Sequence, residues 1–531
     1  MEAWQAQIAR ARRNTLGDVL TRSAGRYPNK LALVYKEERL TYQQFDQRVN
    51  QTAYLLRQDG VSRGTPVAVL SKNSMDFVML AFATARLGAV LVPINYMLTA
   101  DEIAYVLEDA AIAAVACAAD LVPTMEQAMT RAMAQLGHSM LARYGMDEFD
   151  SAYPGWVALS TRRQGVPIEA VDSDVTDDDV AQILYTSGTE SRPKGVMLTH
   201  RSLVAEYVST LVDGSMDEQD VSIHALPLYH SAQLNCFLGP SVYLGGTGII
   251  LNQATPDGIL RSVEAERATL LFCPPTVWIG LLRHSDFDQR DLTSLRKCYY
   301  GAAIMPVEVL KELSARVPQA RFWNFYGQTE VAPLATILKP EDQLRKLGSA
   351  GKPGLNVETR IVDEADNPVP PGTVGEIVHR TPHAMLGYLN KPEKTAEAFR
   401  GGWLHSGDLG VMDEEGYLTV VDRKKDMIKT GGVNVASREV EEFLYQHPGV
   451  SEVAVIGVSD EYWIEAVTAV VVPKAGVDLT EEDILQFCEG RLAKFKIPKH
   501  VVITPSLPKN PSGKVLKKDL RDRYGNLGEK I

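Results

Sequence analysis

The segment Tyr185-Thr-Ser-Gly-Thr-Glu-Ser-Arg-Pro-Lys-Gly195 has the residue types of an anion-binding loop. It follows an apolar strand pattern, Ala181-Gln-Ile-Leu184, and a helical pattern begins near Ser202. The small hydroxyl residues Thr186, Ser187 and Thr189, with Gly188, let backbone N–H groups approach phosphate oxygens, and Lys194 adds positive charge. A loop of this composition taken alone is more often a plain turn. It is not of the Walker type, because Gly195 follows Lys194 where Ser or Thr would be required.

The loop does not stand alone. After it come Tyr299-Tyr-Gly-Ala-Ala303, Asn324-Phe-Tyr-Gly-Gln-Thr-Glu330 and Gly402-Trp-Leu-His-Ser-Gly-Asp408. Then follow Asp422-Arg-Lys-Lys-Asp426, Lys429-Thr-Gly-Gly-Val-Asn434 and Pro508-Lys-Asn-Pro-Ser-Gly-Lys514.

The elements that must position these residues read as α/β. Strand signals at Pro66–Leu70, 89–94 and 113–116 alternate with helical ones at 74–87 and 101–110, a rhythm that implies a parallel sheet with helices on its faces. Residues 120–175 are weaker in pattern and run into the acidic stretch 172–179, which reads as a solvated linker. A second α/β portion spans about 180–338. The stretch 348–421, rich in Gly, Val and turn pairs, predicts strands and hairpins. After the charged joint 422–426 an α+β pattern follows, with a helix near 438–446, strands at 453–458 and 467–472, and a helix opened by Thr480-Glu-Glu-Asp483. The expected organisation is a large N-terminal unit, 1–424, with parallel-rich sheets and a β-rich subdomain, and a small mobile α+β unit, 425–531.

With 531 residues there is length for three or four structural units. Acids outnumber bases 67 to 55, a net charge of −12, which argues against nucleic acid as the main partner. The longest apolar stretch, 77–96, carries Arg86 and Pro93 and reads as a helix plus a strand, so no transmembrane segment is expected. The N-terminus lacks a signal-peptide layout, and the five scattered cysteines suit neither a disulfide framework nor a structural metal. A cytoplasmic protein is expected, with a homo-oligomer left open. From Arg491 onward eleven Lys/Arg face three Asp/Glu, either a solvated tail or a cap over polyphosphate.

In order and spacing, the motifs resemble the adenylate-forming superfamily over roughly residues 15–520: acyl-CoA synthetases, luciferase-like enzymes and peptide-synthetase adenylation domains. Within it the chain looks most like bacterial acyl-CoA synthetases. The resemblance implies an acid–thiol ligase in which a carboxylate attacks the α-phosphate of ATP, and coenzyme A then displaces AMP. It implies that Glu330 coordinates Mg²⁺, that Thr329 donates to the α-phosphate and that Tyr326 offers adenine an aromatic face. Gly301, Ala302, Ala303, Asn324, Gly327 and Gln328 then surround the nucleotide, Asp408 binds ribose, and Arg423 reaches ribose or phosphate. Lys514 holds the carboxylate during adenylation. Gly431 and Gly432 line the coenzyme A tunnel, and Lys425 is the hinge.

His230 matches a histidine lining the acyl site of related enzymes, while His224, His379, His383 and His405 read as structural. The acyl pocket is expected at Tyr229, Leu234, Trp278 and Val331, with Trp278 or Leu234 closing its far end. Lacking a charged partner other than His230, it suits a neutral short- or medium-chain fatty acid. A compact aryl or thioether acid, or transfer to a carrier-protein thiol, are the alternatives. Three departures from the family pattern stand out: Glu190-Ser191 in the loop, Ser406 for Thr, and Ala436-Ser437 where an aromatic or Ser followed by Pro is usual.

Overall fold

The expected α/β rhythm is realised in a computed structural model that describes residues 3–136, 139–149, 153–186, 192–303, 305–423, 426–430, 433–460, 462–510, 513–525 and 527. The strands Pro66–Leu70, Val90–Ile94 and Ala114–Ala118 pair in parallel. Between them lie the helices Met75–Leu87 and Ala100–Asp109. Thr99 caps the second by exchanging bonds with Glu102. The helix-plus-strand reading of 77–96 holds, and the buried Arg86 pairs with Asp46 at 2.7 Å and also contacts Asn50.

The weakly patterned region after residue 120 continues this sheet. The helix Val122–Leu136 leads to strands Ala142–Met146 and Val157–Ala158, which complete eight strands among the described residues. The acidic run is likewise more than a solvated linker. Asp172 pairs with Arg10, Asp178 with Arg201 and Asp179 with Arg63, while Asp177 accepts the Asn14 N–H. Asp172 and Asp177 thus bind the N-terminal segment, and Asp178 and Asp179 bind arginines elsewhere in the chain.

A second, nine-stranded sheet carries the central motifs in adjacent strands Lys297–Gly301, Arg321–Gly327 and Leu334–Leu338. Its two faces separate by strand alternation. Cys298 and Tyr300 face one apolar cluster, and Tyr299 faces another that contains Cys236 and Phe237. The Gly-rich stretch forms an antiparallel sheet of Glu358–Val362, Gly375–Arg380, Leu404–Met412 and Leu418–Arg423. Sheet membership changes between Arg423 and Ile428, where a five-stranded sheet begins. Its long hairpin Val450–Asp460 and Ile464–Pro473 packs against the helices Ser437–Leu444 and Glu481–Cys488. Thr480 and Asp483 form the expected reciprocal cap.

Among the described residues no helix is long and apolar enough to cross a membrane, and no group of three or more His, Cys, Asp or Glu could cage a metal. All five cysteines are buried and unlinked.

Candidate active site

Strand register explains how residues far apart in sequence meet. Asp408 and Arg423 face each other across antiparallel strands, and Arg423 Nε lies 3.4 Å from Asp408 Oδ1. The Tyr326 hydroxyl donates to Asp408 Oδ2 at 2.8 Å. Burial, then the Asp408 charge, push the Tyr326 phenol well above its ordinary range, so it stays a donor. Ser406 keeps the hydroxyl of the usual Thr: its Oγ accepts the Asp408 N–H at 3.1 Å and donates to the Ile377 carbonyl at 2.6 Å.

A short turn, Thr329–Val331, follows the motif strand. Thr329 Oγ1 lies 3.2 Å from Ser231 Oγ, and Glu330 Oε1 accepts the Tyr388 hydroxyl at 2.9 Å. Lys194 Nζ sits 4.5 Å from the Tyr388 ring centroid, so Lys194, Tyr388 and Glu330 form a continuous line. The strand Gly387–Tyr388 pairs with Lys194–Thr199, which places it there. Thr186 pairs with Lys194 across the hairpin, while Ser187, Gly188, Thr189 and the Glu190-Ser191 departure lie outside the described residues. So do Lys425, Gly431 and Gly432.

The backbone around the expected nucleotide positions has no room to spare. A Cβ on Gly301 would meet the Phe325 carbonyl at 2.3 Å, and one on Gly327 the Pro333 carbonyl at 1.8 Å. Ala302 adopts φ 62°, and Ala303 follows it in the turn. Asn324 is buried and donates to the Ser349 carbonyl at 3.0 Å. Gln328 is extended ahead of the Thr329 turn.

His230 stands two residues before the seven-residue π-helix Ala232–Leu238, an uncommon geometry frequent at functional sites. Its Nδ1 accepts the Ala232 N–H at 3.3 Å, which leaves the proton on Nε2. Burial, and then the positive charge of Lys514, push its pKa down to about 4. The Lys514 charge is thus felt at His230, although Lys514 belongs to the C-terminal sequence. Its loop is fastened there by Thr276, whose hydroxyl donates to the Gly513 carbonyl at 2.7 Å.

The sequence matches the family described as AMP-binding enzyme over residues 20–389 and the AMP-binding enzyme C-terminal domain over 439–514. The chain belongs to the AMP-binding enzyme family. It is an acid–thiol ligase that uses ATP, Mg²⁺ and coenzyme A. It is 38% identical to a feruloyl-CoA synthase of Amycolatopsis sp over 97% of this chain and 100% of that one. A long-chain-fatty-acid–CoA ligase of Escherichia coli O6:H1 strain CFT073 is 34% identical over 96% and 95%. Among solved structures, the anthranilate CoA ligase AuaEII with anthranoyl-AMP superposes with a TM-score of 0.90 at 26% identity, covering 98% of each chain.

As a member of this family the ligase has a donor set that fits Mg²⁺. One carboxylate, Glu330, stands beside the hydroxyls of Thr329 and Ser231 with no all-protein cage among the described residues. That is the arrangement for a hard cation held chiefly by phosphate oxygens and water.

Not every expected pocket residue converges. Leu234 and Val331 belong to one apolar cluster, which Tyr229 and Tyr326 border. Trp278 does not join them. It packs with Cys298 and Tyr300 on the other face of the sheet, its indole N–H donating to the Tyr299 carbonyl at 3.1 Å. Its size suits that core, where Phe322 meets it edge-on at 6.0 Å. Of the histidines read as structural, His224 hydrogen-bonds Gln233, His379 bonds Thr359 and His383 bonds Ser209, while His405 lies beside Glu376.

Sequence reasoning missed Tyr388 as a site residue, because a distant strand recruits it, whereas Ser231 and Thr276 lie in the segments 229–234 and 276–279 expected to line the acyl site. It also left Ser437 unexplained. The Ser437 N–H and hydroxyl both donate to Asp422 Oδ2 at 2.8 Å, and Lys517 Nζ reaches the same hydroxyl at 2.7 Å. Proline at 437 would lack that N–H.

Proposed function

We propose that this ligase activates a compact aryl carboxylic acid, with the roles of its site residues set by the posture of Lys514. The observation that carries the reading is the fastening of Gly513 to Thr276, which brings the Lys514 charge to His230. This is a posture for adenylation. The acid's carboxylate oxygen attacks the α-phosphorus, the bond to the bridging oxygen breaks, and pyrophosphate leaves with that electron pair. Lys514 neutralises the carboxylate and the bridging oxygen, Thr329 and Lys194 hold phosphate oxygens, and Asp408 with Arg423 holds ribose. Glu330 would hold Mg²⁺, which would supply neutralisation of phosphate charge.

The small unit, taken to begin at Lys425, then turns so that Gly431 and Gly432 face the acyl-AMP. The coenzyme A sulfur attacks the acyl carbonyl, the thiol proton is released and AMP departs. Neutral His230, donating through Nε2, orients the acyl oxygen in the first step.

The aryl reading rests on the similar enzymes and on the aromatic packing of the helix that follows His230. Phe237 is 1% exposed and stacks on Phe272 at 4.3 Å and on Phe325 at 5.8 Å, with Tyr299 edge-on at 5.3 Å. The names of the feruloyl and anthranilate enzymes support the same class. A short- or medium-chain fatty acid is the second reading, favoured by the purely apolar Leu234–Val331 side.

The test is AMP release with ATP and coenzyme A over a panel of cinnamate-, benzoate- and alkanoate-type acids, with a pantetheinylated carrier protein as competing acceptor. An aryl acid is expected to exceed octanoate at least about tenfold in kcat/KM, with coenzyme A the better acceptor. Octanoate ahead of every aryl acid would overturn the reading.

A further inference from the structure

Tyr388 is 8% exposed and touches two opposite charges at once. Its hydroxyl donates to Glu330 Oε1 at 2.9 Å, and the Lys194 ammonium lies 4.5 Å from its ring centroid. Each charge meets the part of the side chain that suits it. The phenol O–H is a donor for a carboxylate, and the electron-rich ring face attracts a cation. Both charges reach this one residue, yet no ion pair joins Lys194 to Glu330 among the described residues. The ring stands between them.

Backbone hydrogen bonds hold Tyr388 there from two sides. The Met385 N–H donates to the Glu330 carbonyl at 2.8 Å, so the segment grips the turn that carries the carboxylate. The Leu386 N–H donates to the Met197 carbonyl at 2.9 Å, and the Leu389 N–H to the Gly195 carbonyl at 2.8 Å. Those two bonds fix the same segment to the strand that begins at Lys194. Tyr388 itself is pinned by its N–H, which donates to Thr395 Oγ1 at 2.9 Å. Residues 385–389 thus splint the Glu330 turn to the Lys194 strand.

The two charges have separate tasks that an ion pair between them would defeat. A carboxylate holds a hard cation best when a neighbouring donor orients it. The Tyr388 hydrogen bond does this to the flexible Glu330 side chain and still leaves acceptor capacity, because a carboxylate offers about four lone-pair sites. Lys194 has the opposite need, since its ammonium must stay available to phosphate oxygens. Opposite charges this near attract, and a direct pair would take both out of use. We propose that Tyr388 is a positioning residue for adenylation: its hydroxyl sets Glu330 for the divalent cation, and its ring keeps Lys194 from that carboxylate. The proposal rests on Glu330 holding Mg²⁺ and Lys194 holding phosphate oxygens, as in the reaction above.

The test is calorimetric titration of the whole enzyme with ATP, without acid or coenzyme A, in Mg²⁺ and again in EDTA. The proteins are wild type, Tyr388→Phe, Tyr388→Leu, Glu330→Gln and the double variant Tyr388→Leu with Glu330→Gln. The readout is the Mg²⁺ gain, meaning the ratio of the two dissociation constants. Tyr388→Phe keeps the ring and loses the hydroxyl. Its Kd in EDTA is expected to stay within about twofold of wild type while the Mg²⁺ gain falls about tenfold, the scale for losing a partner of a metal-ligating group. Tyr388→Leu removes the ring as well, Lys194 is drawn to Glu330, and binding in EDTA weakens at least about threefold. Adding Glu330→Gln then frees the lysine and brings binding in EDTA back to that of Glu330→Gln alone.

A tyrosine that only packs would weaken binding equally in Mg²⁺ and in EDTA, which would overturn the proposal. A double variant no better in EDTA than Tyr388→Leu would overturn the separation of charges. Loss of the Mg²⁺ gain in Glu330→Gln but not in Tyr388→Phe removes Tyr388 alone. An undiminished gain in Glu330→Gln overturns the Glu330 assignment and this proposal together. Should Tyr388→Leu fail to fold, Tyr388→Phe decides, since it keeps the packed ring.

Discussion

The Thr276 hydroxyl and the Gly513 carbonyl, 237 residues apart in sequence, are joined by a hydrogen bond of 2.7 Å. A Cβ on Gly513 would meet Thr276 Oγ1 at 2.6 Å, and its φ of 80° disfavours other residues, so the contact needs that glycine. Removing the donor in Thr276→Val should cost about 1 kcal/mol of docking, a three- to tenfold slower adenylation. The thioester half-reaction from supplied acyl-AMP should be unchanged. Single-turnover measurement of both half-reactions checks this, and equal slowing of the two would contradict it.

Lys514 itself should matter only in the first step. Lys514→Ala is expected to lose acyl-AMP formation by a hundredfold or more, on the scale of about 3 kcal/mol for a charge aimed at developing negative charge. Coenzyme A should still convert pre-formed acyl-AMP at close to the wild-type rate. Pyrophosphate release and thioester formation, assayed separately, distinguish this from general damage.

Ser406 accepts the Asp408 N–H and donates to the Ile377 carbonyl, which ties Asp408 to the neighbouring strand. Ser406→Ala should raise the KM for ATP about three- to tenfold with less effect on the acid's KM, because the ribose-facing carboxylate loses its backbone anchor. Ser406→Thr retains the hydroxyl and should behave like the wild type. Steady-state kinetics with each substrate varied in turn would expose an effect spread evenly over both.

Four buried histidines and the half-buried His230 set an acid limit on stability. Burial pushes His224 down to about 3, and His200, His230, His379 and His383 to about 4. In the unfolded chain they titrate near 6.5. Between these values the unfolded state binds protons that the folded state does not, so stability rises with pH across the window. It is fully present above about 6.5 and falls as pH drops towards 4. Calorimetric melting from pH 7.5 to 4.5 should show Tm constant at first and then decreasing. A flat Tm down to pH 4.5 would show that these imidazoles accept protons without unfolding.

Local chemistry is what the chain carries in its own order. The capping box Thr480–Asp483, the strand Pro66–Leu70 and the helix–strand reading of residues 77–96 depend on neighbours a few positions apart, and periodicity reveals them. The ordered motifs that place Thr329, Glu330, Asp408 and Lys514 are likewise readable, since each needs its residue types close together.

Tertiary structure alone decided which motif residues meet, and with what. Tyr388 reaches Glu330 across 58 residues because the strand Gly387–Tyr388 pairs beside Lys194. Trp278 left the expected pocket because strand alternation turns Cys298 and Tyr300 towards it and Tyr299 away. The acidic run found its arginines, Ser437 found Asp422, and Glu206 was buried beside Cys236 for the same reason. A side chain's own type fixes what bonds it can make, whereas sheet order and helix packing fix whether a partner stands within 3 Å. Spacing along the chain contains no measure of that distance.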